Sequence, residues 1–242
     1  MLYIDMRFGP TFDPVSPTKT ETHVSVFLLF NCLEMCYSVQ QSNIISAVEK
    51  RFTAKVEDET NFLLSDSISG FAHENVPVIT AINPGIIATN YHWGLVPSWC
   101  TNLDMRKQTL NARIETAASK PAFSEAVNNR CLVIASGFYE WRWLDEKGRN
   151  KEKYIIHSAD DEIMCFAGIY SIWANRETGE KLRTFSIVTT EANETMSFVH
   201  NNKKRMPVVL RNSDESAWLD ASNEISNFAF PKYNPNLLAF KL

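Results

Sequence analysis

The sequence predicts an α+β fold: a single domain with a largely antiparallel, barrel-like β-sheet flanked by short helices. Three observations carry this. Seven apolar, β-branched or aromatic segments have strand length, the helical segments between them are short, and no regular βαβ alternation links the two kinds. With 242 residues, 45% of them hydrophobic and 21% charged, the chain is long enough to bury a substantial core.

Residues 1–34 read as an appendage to that domain, which is taken to span residues 35–242. They open with Pro10, Pro14 and Pro17 and contain one hydrophobic stretch, Val24 to Phe30, too short to span a bilayer and followed by no signal-type cleavage site. A start codon assigned too far upstream, an extension that is later removed, and a retained strand all fit; the first is favoured. Ser42 to Phe52 carries Ile44, Ile45, Val48 and Phe52 at helical spacing, with Ser42 as the candidate N-cap. Strands are expected at Val76–Ile82, Ile86–Gly94, Arg130–Trp143, Lys153–His157, Ile163–Tyr170, Thr184–Thr190 and Pro207–Leu210. Short helices are expected at Asn111–Ala118, Ser124–Val127, Glu191–Phe198 and Asp214–Leu219.

The formal charge of −4 excludes binding of long duplex nucleic acid through the overall field, so any such binding needs a local basic patch. Five cysteines, Cys32, Cys36, Cys100, Cys131 and Cys165, show neither CxxC nor Cys/His ligand spacing. That argues against a disulfide framework and a structural zinc site, so no metal is expected, and the short apolar run without a cleavage site makes a cytoplasmic protein with no membrane association the expectation.

Met35-Cys36 is open to two readings: an apolar pair in a buried strand, or an initiator methionine followed by a mature N-terminal cysteine. In the second, the Cys36 α-amine and thiol form a 1,2-aminothiol. Its groups titrate at about 7.7–8.0 and 8.5 in model compounds, and it condenses with aldehydes to a thiazolidine.

Other polar residues are equally open on sequence alone. Glu140 sits between Tyr139 and Trp141; it is either an outward-facing strand residue or a buried carboxylate suited to proton transfer near neutral pH. His200, ahead of Asn201-Asn202-Lys203-Lys204-Arg205, is either a solvated loop histidine or a proton donor and acceptor. Asn111 and Arg113 are either a helix cap and an exposed arginine, or a hydrogen-bonding pair whose guanidinium suits phosphate. Trp93, Trp99 and Trp141 are core candidates, but Trp99 follows a Pro-Ser turn where an exposed indole could stack on a base. Arg106, Lys107, Arg142, Lys203, Lys204 and Arg205 supply local positive charge.

Four segments follow Met35 in order: Tyr91 to Trp99 (YHWGLVPSW), Asn111 to Thr116 (NARIET), Ser136 to Trp141 (SGFYEW), and His200 leading into Arg205 to Leu210 (RMPVVL). Together they closely resemble the SRAP family, of SOS response-associated peptidase type, which shields abasic sites in single-stranded DNA by covalent crosslinking. The resemblance covers Met35 to about Leu210 and identifies Met35 as the expected start. It implies that Cys36, Asn111, Glu140 and His200 are catalytic. Cys36 forms the thiazolidine, Asn111 holds the cysteine and sugar, Glu140 positions and activates the sugar, and His200 assists ring opening. Arg113, Trp99, Trp141, Lys203, Lys204 and Arg205 are the implied DNA contacts. The implied partner is abasic single-stranded DNA, bound by a monomer that uses no cofactor. Tyr37 and Ser38 stand where the family has glycine and arginine, and the interval from His200 to Arg205 is longer than the family's. Two further readings are a cysteine autopeptidase that removes residues 1–34 and a non-covalent single-strand-binding module.

Overall fold

Strand formation follows the apolar runs. The computed structural model describes residues 37–242. Its strands, in chain order, are β1 (Ser38–Gln41), β2 (Lys55–Val56), β3 (Ser65–Ser69), β4 (Val78–Thr80), β5 (Asn83–Ala88), β6 (Tyr91–Trp93), β7 (Asn111–Arg113) and β8 (Arg130–Ala135). They continue with β9 (Gly137–Trp143), β10 (Lys151–Ser158), β11 (Met164–Ala174), β12 (Lys181–Glu191), β13 (Arg205–Pro207), β14 (Val209–Leu210) and β15 (Leu237–Lys241). The α-helices are short: α1 (Ile45–Phe52), α2 (Glu194–Val199) and α3 (Glu215–Leu219). The architecture is α+β and largely antiparallel, as the sequence predicts. No described helix is long and apolar enough to cross a membrane.

Two sheets share the core. One runs β15-β10-β9-β1-β3; the other runs β13-β12-β11-β8-β4-β5-β2, with β14 added to β11 and with β6 and β7 added to β12. Phe138 and Ile156 from the first sheet pack in one buried cluster with Val133, Phe166, Phe185 and Ile187 from the second. Burying such side chains contributes roughly 1.5–3 kcal/mol each, which outweighs the weak intrinsic preference of the short strands.

Four expectations are corrected. Arg130–Trp143 is not one strand: the chain leaves the larger sheet after Ala135 and enters the smaller one at Gly137. Ser136 makes the corner, donating its N–H to the Gln40 carbonyl at 2.7 Å. A Cβ on Gly137 would lie 2.9 Å from the His157 ring, so the approach there requires glycine. Asn111–Ala118 is not a helix; Asn111–Arg113 pairs in parallel with Ile187–Thr189, burying Ala112, and turns follow. Tertiary pairing overrides the local helical preference there. Ser124–Val127 forms turns and no helix: the Ala126 N–H donates to the Phe123 carbonyl, three residues back, at 2.9 Å. Ser42 does not cap α1; Ile44 occupies that position, and the Ser42 N–H and hydroxyl bond the Ser136 hydroxyl at 2.7 and 2.9 Å.

Candidate active site

Glu140 occupies the middle of β9, where alternation turns Phe138 and Glu140 to one face and Tyr139 and Trp141 to the other. Glu140 is 4% exposed, so the reading as an outward-facing residue is excluded. Its neighbours across the sheet are fixed by register. On one side Glu140 pairs with Tyr154 of β10. On the other, β1 runs antiparallel with Val39 opposite Phe138 and Gln40 opposite Gly137. Continuing that register toward the N-terminus brings Tyr37, the first described residue, level with Glu140. Tyr37 is anchored there: its carbonyl accepts the Gly70 N–H at 2.8 Å, and its ring meets Phe71 at 4.6 Å. Ser38 bonds Ser67 through their hydroxyls at 2.7 Å. Cys36 lies outside the described residues.

His200 is held by the end of α2. Asn193 caps that helix by accepting the Met196 N–H at 3.0 Å, and the last turn closes with the His200 N–H donating to Met196 at 2.7 Å. The imidazole is 1% exposed, so it is not a solvated loop side chain. Its Nδ1 lies 2.9 Å from the Arg205 carbonyl. Only a protonated Nδ1 can bond a carbonyl, so the neutral ring carries its lone pair on Nε2.

The next residue, Asn201, joins this corner to β9. Its Oδ1 accepts the Trp143 N–H at 3.0 Å and its Nδ2 donates to the Trp143 carbonyl at 2.9 Å, imitating a strand partner. Phe198 reinforces the joint: Arg142 stacks over its ring at 3.6 Å, and Tyr154 meets it edge-on at 6.3 Å. The helix bearing His200 is therefore fixed to the residues that flank and oppose Glu140.

Asn111 is 8% exposed and enters through β7, where Leu110 accepts the Ile187 N–H at 3.1 Å and the Trp93 indole N–H at 2.8 Å. Trp93 is thus a core residue. Arg113 is exposed, opposite Thr189 in the parallel register.

Arg205, expected as a DNA contact, is engaged within the protein itself. It is 8% exposed; its two terminal nitrogens donate to the two Glu115 carboxylate oxygens at 2.8 Å each, and Nη2 also reaches the Thr189 carbonyl at 2.9 Å. Burial alone would push the Glu115 carboxyl upward, but the hydrogen bonds and charge of Arg205 hold it below the usual carboxylate range. This brace ties the Asn111 segment to the strand whose carbonyl orients His200. Glu115 and Asn201 are the site residues that sequence reasoning missed; Glu115 stands inside a noted segment, but nothing local pairs it with an arginine 90 positions away.

The remaining candidates spread outward. Lys203 and Lys204 are exposed on the loop after His200, with Lys204 at φ 51°. Trp141, 39% exposed, lies on the face of β9 opposite Glu140, with the Lys153 ammonium 5.7 Å from its ring. Trp99 is 43% exposed, beside Cys100, whose carbonyl accepts the Trp173 indole N–H at 2.7 Å. Trp173 pairs with Leu182, whereas Asn111 pairs with Ile187 on the same strand, a separation of about 17 Å along β12. Trp99 therefore belongs to the periphery of the site, away from Asn111. Cys100, Cys131 and Cys165 are buried free thiols, and burial pushes each upward in pKa. Among the described residues no group of three His, Cys, Asp or Glu side chains is suited to a metal.

The fold and site define an α+β scaffold with a buried carboxylate and a buried imidazole on elements tied to each other beside the first described strand. The sequence model of the SOS response associated peptidase (SRAP) family matches residues 35–237, and the chain belongs to that family. Similar proteins include the abasic site processing protein YoqW of Bacillus subtilis, 36% identical over 151 residues, or 60% of this chain and 64% of that protein. The abasic site processing protein HMCES of Gallus gallus is 35% identical over 159 residues, or 55% of this chain and 45% of that protein. The matched part thus spans less than two thirds of either relative. Among solved structures, a Bacteroides thetaiotaomicron protein is 31% identical with a TM-score of 0.76, covering 86% of this chain and 92% of that one.

Proposed function

We propose that this protein processes abasic sites in single-stranded DNA by forming a covalent thiazolidine crosslink through Cys36, and that Met35 is the true start. Residues 1–34 are then absent from the active protein, and loss of Met35 leaves Cys36 with a free α-amine. The amine adds to the aldehyde of the ring-opened sugar and water leaves, giving a Schiff base. The thiol adds across the C=N bond and closes the ring, so one C–N and one C–S bond form, with a net loss of one water and no redox change.

The observation that carries this reading is the placement of Glu140. It is a carboxylate 4% exposed on the strand adjoining β1, level with Tyr37, to which Cys36 is joined by one peptide bond of about 3.8 Å between Cα atoms. In this reading Glu140 and His200 move protons during ring opening, carbinolamine dehydration and ring closure, while Asn111 orients the amine and sugar. Arg113, Lys203 and Lys204 bind phosphates. Trp99 stacks on a base remote from the lesion, and Trp141 contacts a strand that continues around the outer face of β9. The names of the relatives support abasic sites as the substrate. Lys203 and Lys204 sit on the lengthened loop and replace the arginine missing at Ser38.

The test is incubation with an abasic oligonucleotide followed by denaturing electrophoresis, using chains that begin at Met1 and at Met35. The Met35 chain is expected to give a shifted band and its Cys36→Ala variant none; a Met35 chain with an intact mass and no shifted band overturns the proposal. The family's peptidase description supports a second reading, self-cleavage before Cys36. It predicts loss of residues 1–34 from the long parent, seen by intact mass, and their retention in its Cys36→Ala variant.

A further inference from the structure

We infer that Arg106, with Lys107 and the imidazoles of His73 and His92, forms a second phosphate site that receives a single strand flanking the lesion; this rests on the reading just given. The motivating feature is a group of cationic and ionisable side chains gathered without an acid to answer Arg106. Arg106 is half-buried in the turn Asp104–Gln108, makes no ion pair among the described residues, and has one long hydrogen bond, 3.5 Å from Nη2 to the His73 carbonyl. Its Nε is buried with no hydrogen-bond partner among the described residues. Arg130 and Arg205 also leave Nε without a partner, but both terminal nitrogens of each are bonded within the protein; a half-buried guanidinium with one long bond and no carboxylate keeps its terminal nitrogens for an anion.

The surrounding geometry is rigid. His73 adopts φ 56°; its Nδ1 donates to the Trp93 carbonyl at 2.8 Å, and its own carbonyl also accepts His92 Nδ1 at 3.1 Å. Both rings therefore carry Nδ1–H and keep Nε2 for a further proton or donor. Gly94, at φ 107°, lets the layers close: a Cβ there would lie 2.8 Å from the Arg106 carbonyl and 2.9 Å from His73 Nδ1. Of the acids near this group, Glu74 accepts the Ser69 N–H at 3.0 Å, and Asp104, two residues before Arg106, is exposed and makes no ion pair with it among the described residues. After burial, the charges of Arg106, Lys107 and His92 are what hold His73 below its ordinary pKa, the mutual repulsion expected of an anion site without its anion.

The patch also lies where a strand leaving the proposed lesion site would pass. Gly70, three residues before His73, binds Tyr37, and Trp93 binds Leu110, the neighbour of Asn111. Next to the two histidines, Phe62, Leu63 and Leu64 form the apolar part of a cleft of about 350 Å³, also lined by Glu74 and Asn75, that offers a partly apolar surface for a sugar or base. The chemistry is that of a phosphodiester; a free phosphate would meet the same donors.

The experiment measures binding of an undamaged deoxythymidine oligonucleotide across a salt series, by fluorescence anisotropy, for the Met35 chain and its Arg106→Gln and Lys107→Gln variants. Each lost phosphate contact lowers the magnitude of the slope of log K against log salt by about 0.7 for a single strand. Arg106→Gln is expected to show that loss together with several-fold weaker binding; Lys107→Gln, at an exposed position, tests the patch even if Arg106→Gln fails to fold. Unchanged slopes in every variant that folds, judged by thermal melting, overturn the inference. A parent that binds and crosslinks while the variants keep its slope sinks this site alone, whereas a parent that neither binds nor crosslinks sinks the proposed function. In a parallel arm, inorganic phosphate is titrated; Arg106-dependent phosphate binding without any change in the oligonucleotide slope identifies a free-anion site and overturns the strand assignment.

Discussion

Arg205 and Arg106 look alike in the sequence, each next to lysine within a short basic stretch, yet the fold treats them in opposite ways. Arg205 is paired through both terminal nitrogens with Glu115, bonds Thr189 and joins two segments of the site, although its Nε, like that of Arg106, has no hydrogen-bond partner among the described residues; Arg106 makes no ion pair among them. The contrast teaches that a basic residue in a presumed nucleic-acid protein is assigned by its partners and not by its charge. A guanidinium already answered by a bidentate carboxylate holds the protein together, and one left unanswered is available to a phosphate.

The largest effect that would sharpen this contrast is on stability. Arg205→Ala strands Glu115 and loosens β13, so it should destabilise the chain by roughly 1–3 kcal/mol, below the roughly 3–5 kcal/mol of a fully buried broken pair because Glu115 is partly solvated. Chemical denaturation checks this, and Arg106→Gln measured alongside should cost less. Equal losses would erase the distinction. Asn201→Ala removes both bonds to Trp143 and should cost about 1–2 kcal/mol. If the clamp sets the spacing of His200 and Glu140, the variant also crosslinks more slowly at saturating DNA while its affinity for undamaged strands holds; a rate equal to the parent's limits Asn201 to a structural role.

The pH dependence separates the two arginines again. The Glu115 carboxyl is depressed in the folded state, so its contribution to stability is fully present above the unfolded value, about 4.3, and is lost as pH falls through the lower folded value. Thermal melts between about pH 3 and 6 should therefore decline less steeply for Glu115→Gln than for the parent. The decline should not vanish, because Asp161 is likewise depressed: burial opposes ionisation there, but its bond to Arg51 overrides that. The smallest expected effect belongs to Lys203→Gln and Lys204→Gln, each lowering the salt slope for single strands by about 0.7 without changing thermal stability.

Much of the fold was legible because strand-forming residues are local signals: each of the seven expected strand segments overlaps an observed strand, although Ile86–Gly94 is divided between β5 and β6, which pair with different neighbours. What failed was decided by distant partners. Asn-Ala-Arg reads as a helix start until β12 pairs with it, and no turn residue other than Gly137 warns that Arg130–Trp143 changes sheets at Ser136. The polar Ser65–Ser69 strand becomes one by pairing with β1. Asn111, Glu140 and His200 were legible as an ordered set of residue types, but their burial was not, since sequence alternation does not say which face is inward. The Glu115–Arg205 brace and the Asn201 clamp were invisible for the same reason that loops carry weak local signals: each is made between segments far apart in the chain.

The central claim is that the nitrogen of Cys36 reacts as an amine. The most direct measurement compares crosslinking of an abasic oligonucleotide by the Met35 chain with that by a chain verified by intact mass to keep residues 1–34. The account predicts a denaturation-resistant band for the first and none for the second, because an acylated nitrogen cannot form a Schiff base. Equal crosslinking by the uncleaved long chain would contradict it.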